Sequence, residues 1–281
     1  MKVMRADTAG FCMGVSLALK RLDRALEEHR TPIATLGPII HNPQVLAEYE
    51  GQGVRRIAGA SDARRGECVI IRAHGIPREE EALLIESGVL LVDATCPRVK
   101  AAQLAIERTT RQGQCLLLFG EAEHPEVRGL LSYAHAERHV FASLDECKEL
   151  PLEPAEVCVL AAQTTQDIRQ FVAMQEYLEQ YLDRRIPVLH TICDATEKRQ
   201  NEALEIAAKA DCMVVVGGRE SGNTRRLAEL AAVTGIPAWH VESEKELEAA
   251  FFRGKSLVGL TAGASTPKSL IDAVEFFLET L

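Results

Sequence analysis

The sequence predicts an α/β protein with mostly parallel sheet, organised as three similar units. Short apolar runs alternate with helical patterns along the whole chain, and strands that are joined through helices run parallel. Three stretches also resemble one another, because in each a cysteine stands where an apolar run ends and a helix begins: Cys12, Cys96 and Cys193. These cysteines are 84 and 97 positions apart along the chain. Such a period indicates a repeated structural unit.

The first third of the chain contains four strand-like runs of Val, Ile and Leu between polar turns. We expect strands at 3–6, 33–36, 69–71 and 89–92, and helices at 14–28, 43–49 and 78–87. The clearest stretch is 89–104, in which an apolar run leads through Asp93 to Cys96. Pro97 then fits the first position of a helix, where its missing N–H costs nothing.

The same alternation predicts the elements of the other two thirds. Strands are expected at 116–119, 140–141, 157–160, 187–189, 213–216, 238–241 and 257–260. Helices are expected at 97–112, 125–133, 166–184, 196–209, 223–233, 244–252 and 267–278. The predicted domains are 13–96, 97–192, and 1–12 together with 193–281.

Composition indicates a globular protein and argues against some classes of partner. With 281 residues, 47% of them hydrophobic and 26% charged, the chain can bury a large core. Its net charge is −9 and no stretch is strongly basic, which argues against nucleic acid as a partner. We find no signal peptide and no apolar run long enough to span a membrane, so we expect a cytoplasmic protein without membrane contact.

The eight cysteines divide into two groups by their surroundings. In a reducing compartment we do not expect disulfides. Five cysteines begin strand-like runs or lie within a helix and fit the core: Cys68, Cys115, Cys147, Cys158 and Cys212. Cys12, Cys96 and Cys193 stand instead between strand and helix, where an α/β protein keeps its chemistry.

Polar loops follow the strands of each third at matching distances from its cysteine. His41, His124 and Ser221 come 29, 28 and 28 positions after Cys12, Cys96 and Cys193. A second polar loop follows a later strand in each third, at 72–75, 161–165 and 261–265. Because parallel strands end at one edge of a sheet, we predict a pseudo-threefold assembly with all these groups facing one central cavity.

Three thiolates favour an iron–sulfur cluster over a closed zinc site, which normally needs four ligands and close Cys pairs. Three ligands on a four-iron cluster leave one iron open to substrate. The loops add donors that suit a phosphate or diphosphate: His41, His74, His124, Ser221, Asn223 and Ser265. Glu126 and Thr164 are candidate proton donors.

Each of these residues also has an ordinary structural role open to it. A single cysteine at a helix start, a histidine in a loop or a glutamate in a first turn usually serves the fold. Ser221 and Ser265 are natural N-cap residues. The repetition of the whole pattern favours a functional role for these residues over an ordinary structural one.

The motifs together are similar to the 4-hydroxy-3-methylbut-2-enyl diphosphate reductase family. They are AGFC-x-GV at 9–15, HN at 41–42, AHG at 73–75, DATCP at 93–97, HPEV at 124–127, QTT at 163–165, IC-x-AT-x-x-RQ at 192–200, N-x-x-RL at 223–227 and TAGAS at 261–265. The resemblance covers nearly the whole chain in order. It implies three α/β domains in a trefoil around a central, oxygen-sensitive iron–sulfur cluster.

The resemblance also implies roles and partners. Cys12, Cys96 and Cys193 would ligate a 4Fe-4S cluster with one open iron. The diphosphate would be bound by His41, His74, His124, Thr164, Ser221, Asn223 and Ser265. Glu126, with Thr164 beside it, would donate the proton in reductive removal of the allylic hydroxyl. The resemblance implies the last step of the methylerythritol phosphate route to isoprenoids, which gives isopentenyl and dimethylallyl diphosphates. It also implies a flavodoxin or a ferredoxin as electron donor.

Gly222 departs from the family pattern, in which two adjacent serines often precede the asparagine. We expect altered binding and the same reaction. Two other functions remain open at this point. One is a diphosphate-binding protein that lost its cluster, and the other is a cluster-based sensor of oxygen or iron. Neither needs the proton donor Glu126.

Overall fold

The computed structural model describes residues 1–29, 31–153 and 155–281. The strands of this part of the chain are β1 (Lys2–Arg5), β2 (Ile33–Leu36), β3 (Arg55–Ile57), β4 (Cys68–Ile71), β5 (Leu90–Asp93), β6 (Cys115–Phe119), β7 (Arg138–Phe141), β8 (Cys158–Ala162), β9 (Cys212–Val216), β10 (Ala238–Val241) and β11 (Leu257–Ala262). The α-helices are α1 (Met13–Glu28), α2 (Pro43–Gly51), α3 (Arg78–Glu86), α4 (Pro97–Thr110), α5 (Pro125–Ser132), α6 (Leu144–Lys148), α7 (Ile168–Tyr181), α8 (Asp194–Ala207), α9 (Gly222–Val233) and α10 (Lys268–Thr280).

The chain divides into two compact units. The first consists of Met1–Ser16, Ile40–Gly51 and Asp194–Leu281. Its sheet has the order β1-β11-β9-β10, and each neighbouring pair is parallel. Val214 and Leu260, on neighbouring strands, pack with apolar residues of α10 in the core of this unit.

The second unit consists of Leu17–Ile39 and Gln52–Cys193 and contains two parallel sheets. Their orders are β3-β2-β4-β5 and β7-β6-β8. In β6, Leu117 packs into a core with α7, whereas Leu116 and Leu118 pack into a separate core on the other face. A strand buried on both faces must be apolar at every position, which explains the continuous run Cys115–Phe119.

The α/β class and the parallel sheets are therefore confirmed. The strands of each sheet also come from a single range among 13–96, 97–192, and 1–12 with 193–281. The domain boundaries themselves stay a prediction. No helix among the described residues has the length and apolar character needed to cross a bilayer.

Three details differ from the predicted elements. β3 was not predicted, since it is an edge strand with two arginines and only Ile57 buried. At 187–189 there is no strand but a single bridge between Val188 and Leu160. The helix predicted at 244–252 is instead two short 3-10 helices, Glu244–Glu246 and Ala249–Phe252. In all three places the side-chain pattern is too short to specify regular pairing or a full helix.

We predict that Gly259→Ala destabilises the first unit by about 1–3 kcal/mol, the usual cost of overpacking a core. A Cβ at Gly259 would lie 2.1 Å from Met213 Sδ and 2.6 Å from Ile206 Cγ2. Urea unfolding measures the change. Gly51→Ala is the control, because a Cβ there meets no atom within 4 Å. Equal unfolding midpoints for the two variants would contradict this packing.

Candidate active site

Cys12, Cys96 and Cys193 stand where the sequence analysis expected them. Each directly precedes a helix: α1, α4 and α8. Cys96 is the N-cap of α4, with Pro97 at the first helical position. All three cysteines are partly exposed, whereas the other five are buried.

Each of the three cysteines makes the same type of backbone hydrogen bond. In each case the cysteine N–H donates to a carbonyl in the polar loop that follows a strand of a parallel sheet. The acceptors are Ala264 O for Cys12 (3.1 Å), Ala73 O for Cys96 (2.9 Å) and Thr164 O for Cys193 (3.0 Å). These loops are the three that the sequence repeat singled out, at 261–265, 72–75 and 161–165. The backbone therefore places each sulfur at the carboxyl edge of a sheet.

Two residues of α8 hold the segment before Cys12, and the sequence analysis assigned neither a role. Arg199 is 3% exposed and donates to Gly10 O at 3.0 Å and Ala262 O at 3.2 Å. Glu202 accepts from the backbone N–H groups of Asp7 (2.7 Å) and Thr8 (2.9 Å) and from the Thr8 hydroxyl. The sequence signal for Arg199 is its place on the face of α8 whose other residues are buried.

Glu126 and Thr164, the predicted proton donors, are in direct contact in the second unit. Glu126 is 2% exposed and lies in the first turn of α5. Its Oε1 accepts from Thr164 N at 2.6 Å, and its Oε2 is 3.0 Å from Thr164 Oγ1. Cys193 N–H donates to Thr164 O, so Thr164 links the Glu126 carboxylate to the backbone of Cys193.

His124 caps α5 and lies beside His74. Its Nδ1 accepts from Glu126 N at 3.1 Å, so in the neutral ring the proton is on Nε2. The rings of His74 and His124 meet edge to face with centroids 5.5 Å apart. His124 therefore presents an N–H donor on the side away from the helix. A neutral donor of this kind can bind an anion.

His41 and Ser265 meet in the first unit through the backbone. The Ser265 hydroxyl donates to His41 O at 2.9 Å. A Cβ at Gly218 would lie 2.8 Å from the same oxygen, so only glycine allows this approach. Ser265 is not an N-cap, because α10 begins at Lys268 and its N-cap is Pro267. Its hydroxyl would have to turn from His41 to serve an anion.

Ser221 and Asn223 lie at the start of α9. Ser221 is the N-cap, as predicted, and its Oγ accepts from Thr224 N at 3.3 Å. The Asn223 amide is buried, and within the described residues its Nδ2 has no hydrogen-bond acceptor. A buried amide donor without an acceptor costs free energy. An anion at this helix start would supply the acceptor and would also be favoured by the helix dipole.

The chain is an α/β protein of parallel sheets with cysteine, histidine and amide side chains near their carboxyl edges, and comparison defines its family. The family model described as LytB protein matches residues 3–279, and the chain belongs to this family. It is a family of iron–sulfur enzymes.

Relatives and solved structures agree over the full chain. The 4-hydroxy-3-methylbut-2-enyl diphosphate reductase of Nitratidesulfovibrio vulgaris strain Miyazaki F is 59% identical over 281 residues, covering 100% of both chains. That of Desulfovibrio desulfuricans is 58% identical, also covering 100% of both. The E-1-hydroxy-2-methyl-but-2-enyl-4-diphosphate reductase from Plasmodium falciparum has a TM-score of 0.93 at 25% identity, over 100% of this chain and 87% of that one.

A second solved structure is the (E)-4-hydroxy-3-methyl-but-2-enyl diphosphate reductase described as the terminal enzyme of the non-mevalonate pathway. It has a TM-score of 0.71 at 37% identity and covers 100% of both chains.

The donor set fits an iron–sulfur cluster. Burial raises the pKa of the Cys147 thiol to about 11 and also raises the pKa values of Cys68 and Cys212. A raised pKa keeps a thiol protonated at neutral pH, and such a thiol has to lose its proton before it binds a metal. The Cys12 sulfur accepts from Val15 N at 3.4 Å at a helix start. Soft thiolates in partly exposed loops are the ligands that iron–sulfur clusters use.

We predict that Glu202→Gln makes the chain less stable at neutral pH and that this difference disappears in acid. Burial alone would raise the pKa of Glu202, but hydrogen bonds from Thr8 and Asp7 outweigh it and lower the pKa below 4.5. A carboxyl whose pKa is lower in the folded chain stabilises the fold above its unfolded pKa. That stabilisation is lost as the pH falls through the folded pKa.

Thermal unfolding between pH 7 and about pH 3 measures this effect. Glu205→Gln, on the exposed side of the same helix, is the control and should unfold like the original chain throughout. A Glu202→Gln deficit that is equal at every pH would contradict the titration of Glu202.

Proposed function

We propose that this chain reduces (E)-4-hydroxy-3-methylbut-2-enyl diphosphate to isopentenyl and dimethylallyl diphosphates, the last step of the methylerythritol phosphate route. Relatives named for this activity match the whole chain at up to 59% identity. The observation that carries the proposal is the buried pair of Glu126 and Thr164, because a binding protein or a sensor has no need of a proton donor.

Cys12, Cys96 and Cys193 are the proposed ligands of a 4Fe-4S cluster. Three ligands leave one iron without a protein ligand. When bound, the cluster would relay two electrons from the electron donor, one at a time, and would act as a Lewis acid for the departing hydroxyl. The hydrogen bonds of the three cysteine N–H groups support this proposal, since they hold each cysteine by its backbone at the carboxyl edge of a sheet.

The diphosphate is proposed to bind histidine, amide and hydroxyl donors. These are His41, His74, His124, Thr164, Ser221, Asn223 and Ser265. The buried Asn223 amide supports this role, because an anion would satisfy the Nδ2 that lacks an acceptor. Gly222 stands where relatives often have a second serine, and its backbone N–H at the start of α9 can replace that hydroxyl.

Glu126 is proposed to protonate the leaving hydroxyl through Thr164. Glu126 Oε2 would pass its proton to Thr164 Oγ1, which would donate its own proton to the allylic oxygen. The C–O bond breaks and the oxygen leaves as water; two electrons and a second proton, added to the remaining allylic carbon framework, then give isopentenyl or dimethylallyl diphosphate. Departure as water rather than hydroxide lowers the barrier for C–O cleavage.

The electrons are proposed to come from a small redox protein, a flavodoxin or a ferredoxin. This partner and the cytoplasmic location inferred from the sequence stay predictions.

Anaerobic purification followed by Mössbauer spectroscopy and a turnover assay tests the function. We expect a brown protein with a four-iron cluster that reduces the allylic diphosphate with a chemical reductant. Cys193→Ser should lose both the cluster and the activity, whereas Cys147→Ala, a change at a buried cysteine, should keep both. A colourless protein that binds diphosphate without turnover would instead establish the cluster-free binding protein.

We predict that Glu126→Gln lowers kcat by about 10²–10⁴, the usual contribution of a positioned acid. The amide oxygen can still accept from Thr164 N, so the loop should keep its structure and substrate should bind within a few-fold of its original Kd. Steady-state kinetics and calorimetric titration of the substrate measure the two effects.

Glu123→Gln is the control for this substitution, since Glu123 lies in the loop just before α5 but pairs with Arg128 on the surface. Its kcat should be unchanged. Full activity of Glu126→Gln would show that the proton comes from another group.

A further inference from the structure

Two buried cysteines face each other at the amino edge of the sheet β7-β6-β8. Cys115 begins β6 and Cys158 begins β8, and the two are paired in the parallel register. Paired residues of neighbouring parallel strands point to the same face, so both thiols enter the same core. Cys115 is 3% exposed and Cys158 is 1% exposed.

A carboxylate completes a compact group with these thiols. Cys115 Sγ, Cys158 Sγ and a carboxylate oxygen of Glu156 all lie within 4.8 Å of one another. Glu156 also belongs to a second such group with Glu137 and His139. His139 is half-buried, and its Nε2 is 3.6 Å from Glu137 Oε1. Glu156 therefore lies close to sulfur, oxygen and nitrogen atoms that can each bind a metal ion.

The charges around this group suit a divalent cation. Arg184 donates to the Glu156 carbonyl. Two thiolates and one carboxylate would carry three negative charges, which a divalent cation and the Arg184 guanidinium together balance. Close charge balance is what a partly buried ionic site requires.

We propose that Cys115, Cys158 and Glu156 form a structural site for a soft divalent cation, with Zn²⁺ as the expected ion. Two sulfurs and a carboxylate are within the usual ligand set of zinc. An oxygen or nitrogen ligand, from water or from His139, fills the fourth position. The ion joins the first residues of β6 and β8 to the loop that carries Glu156.

This site is separate from the proposed cluster. Cys158 is the first residue of β8, whereas Thr164 lies two residues beyond its last residue, Ala162, and a strand of five residues spans about 16 Å. The proposal does not depend on the reductase function. It is a further site because it uses two of the five cysteines that the sequence assigned to the core.

Zinc content of the anaerobically purified, cluster-containing protein tests the site. The protein is incubated with Zn²⁺ and desalted, and zinc and iron per chain are measured by mass spectrometry. We expect one zinc per chain with unchanged iron. Zinc-edge X-ray absorption, which is insensitive to iron, should show two sulfur neighbours at about 2.3 Å and two lighter ones at about 2.0 Å.

Variants separate the site from other zinc binding. Cys158→Ala should weaken zinc binding at least about 100-fold, and Glu156→Gln, a change at a partly exposed position, by about 10–100-fold. Cys147→Ala, in the same core, should keep the zinc. Unchanged binding by Glu156→Gln, zinc without sulfur neighbours, no bound zinc, or a Cys115–Cys158 disulfide in the anaerobic protein would each overturn the proposal.

Discussion

The hydrogen bond from a cysteine N–H to a loop carbonyl, made at Cys12, Cys96 and Cys193, determines how this chain presents its chemistry. Parallel strands end at a common edge, and the loops beyond that edge cannot pair as strands do. The three amides fix these loops to the helix starts that follow. Because the backbone makes the contact, each cysteine is held at the carboxyl edge of a sheet. The same constraint brings Thr164, whose carbonyl receives the Cys193 amide, to the carboxylate of Glu126.

An acidic chain that binds a diphosphate has to do so without a strongly positive surface. The net charge is −9, and the proposed donors are imidazole, amide and hydroxyl groups. His124 illustrates how the fold prepares such a donor, since capping α5 with Nδ1 leaves the proton on Nε2. Asn223 illustrates a second way, in which an amide is buried at a helix start with no acceptor among the described residues. Both are fixed before any ligand arrives, so binding need not order them.

The sequence predicted the parallel α/β class and the position of Cys96 because both depend on local patterns, namely fully apolar runs and a proline at a helix start. It also predicted the contact of Glu126 with Thr164, through a family resemblance rather than through periodicity. It missed Arg199 and Glu202, whose roles arise only when α8 packs against the segment before Cys12. Ser265 was expected to cap a helix, but its partner is 224 positions away in the chain, and no local pattern records such a contact.

The edge strand β3 has a bearing on how the protein behaves at high concentration. Arg55 and Arg56 occupy two of its three positions, and Arg55 is paired with the buried carboxylate of Glu67 at 2.7 Å. An exposed strand edge can accept a strand from another molecule, and such pairing leads to aggregates. Charged side chains on an edge strand disfavour such pairing. The two arginines that interrupt the apolar pattern of β3 therefore also make this edge a poor template for another strand.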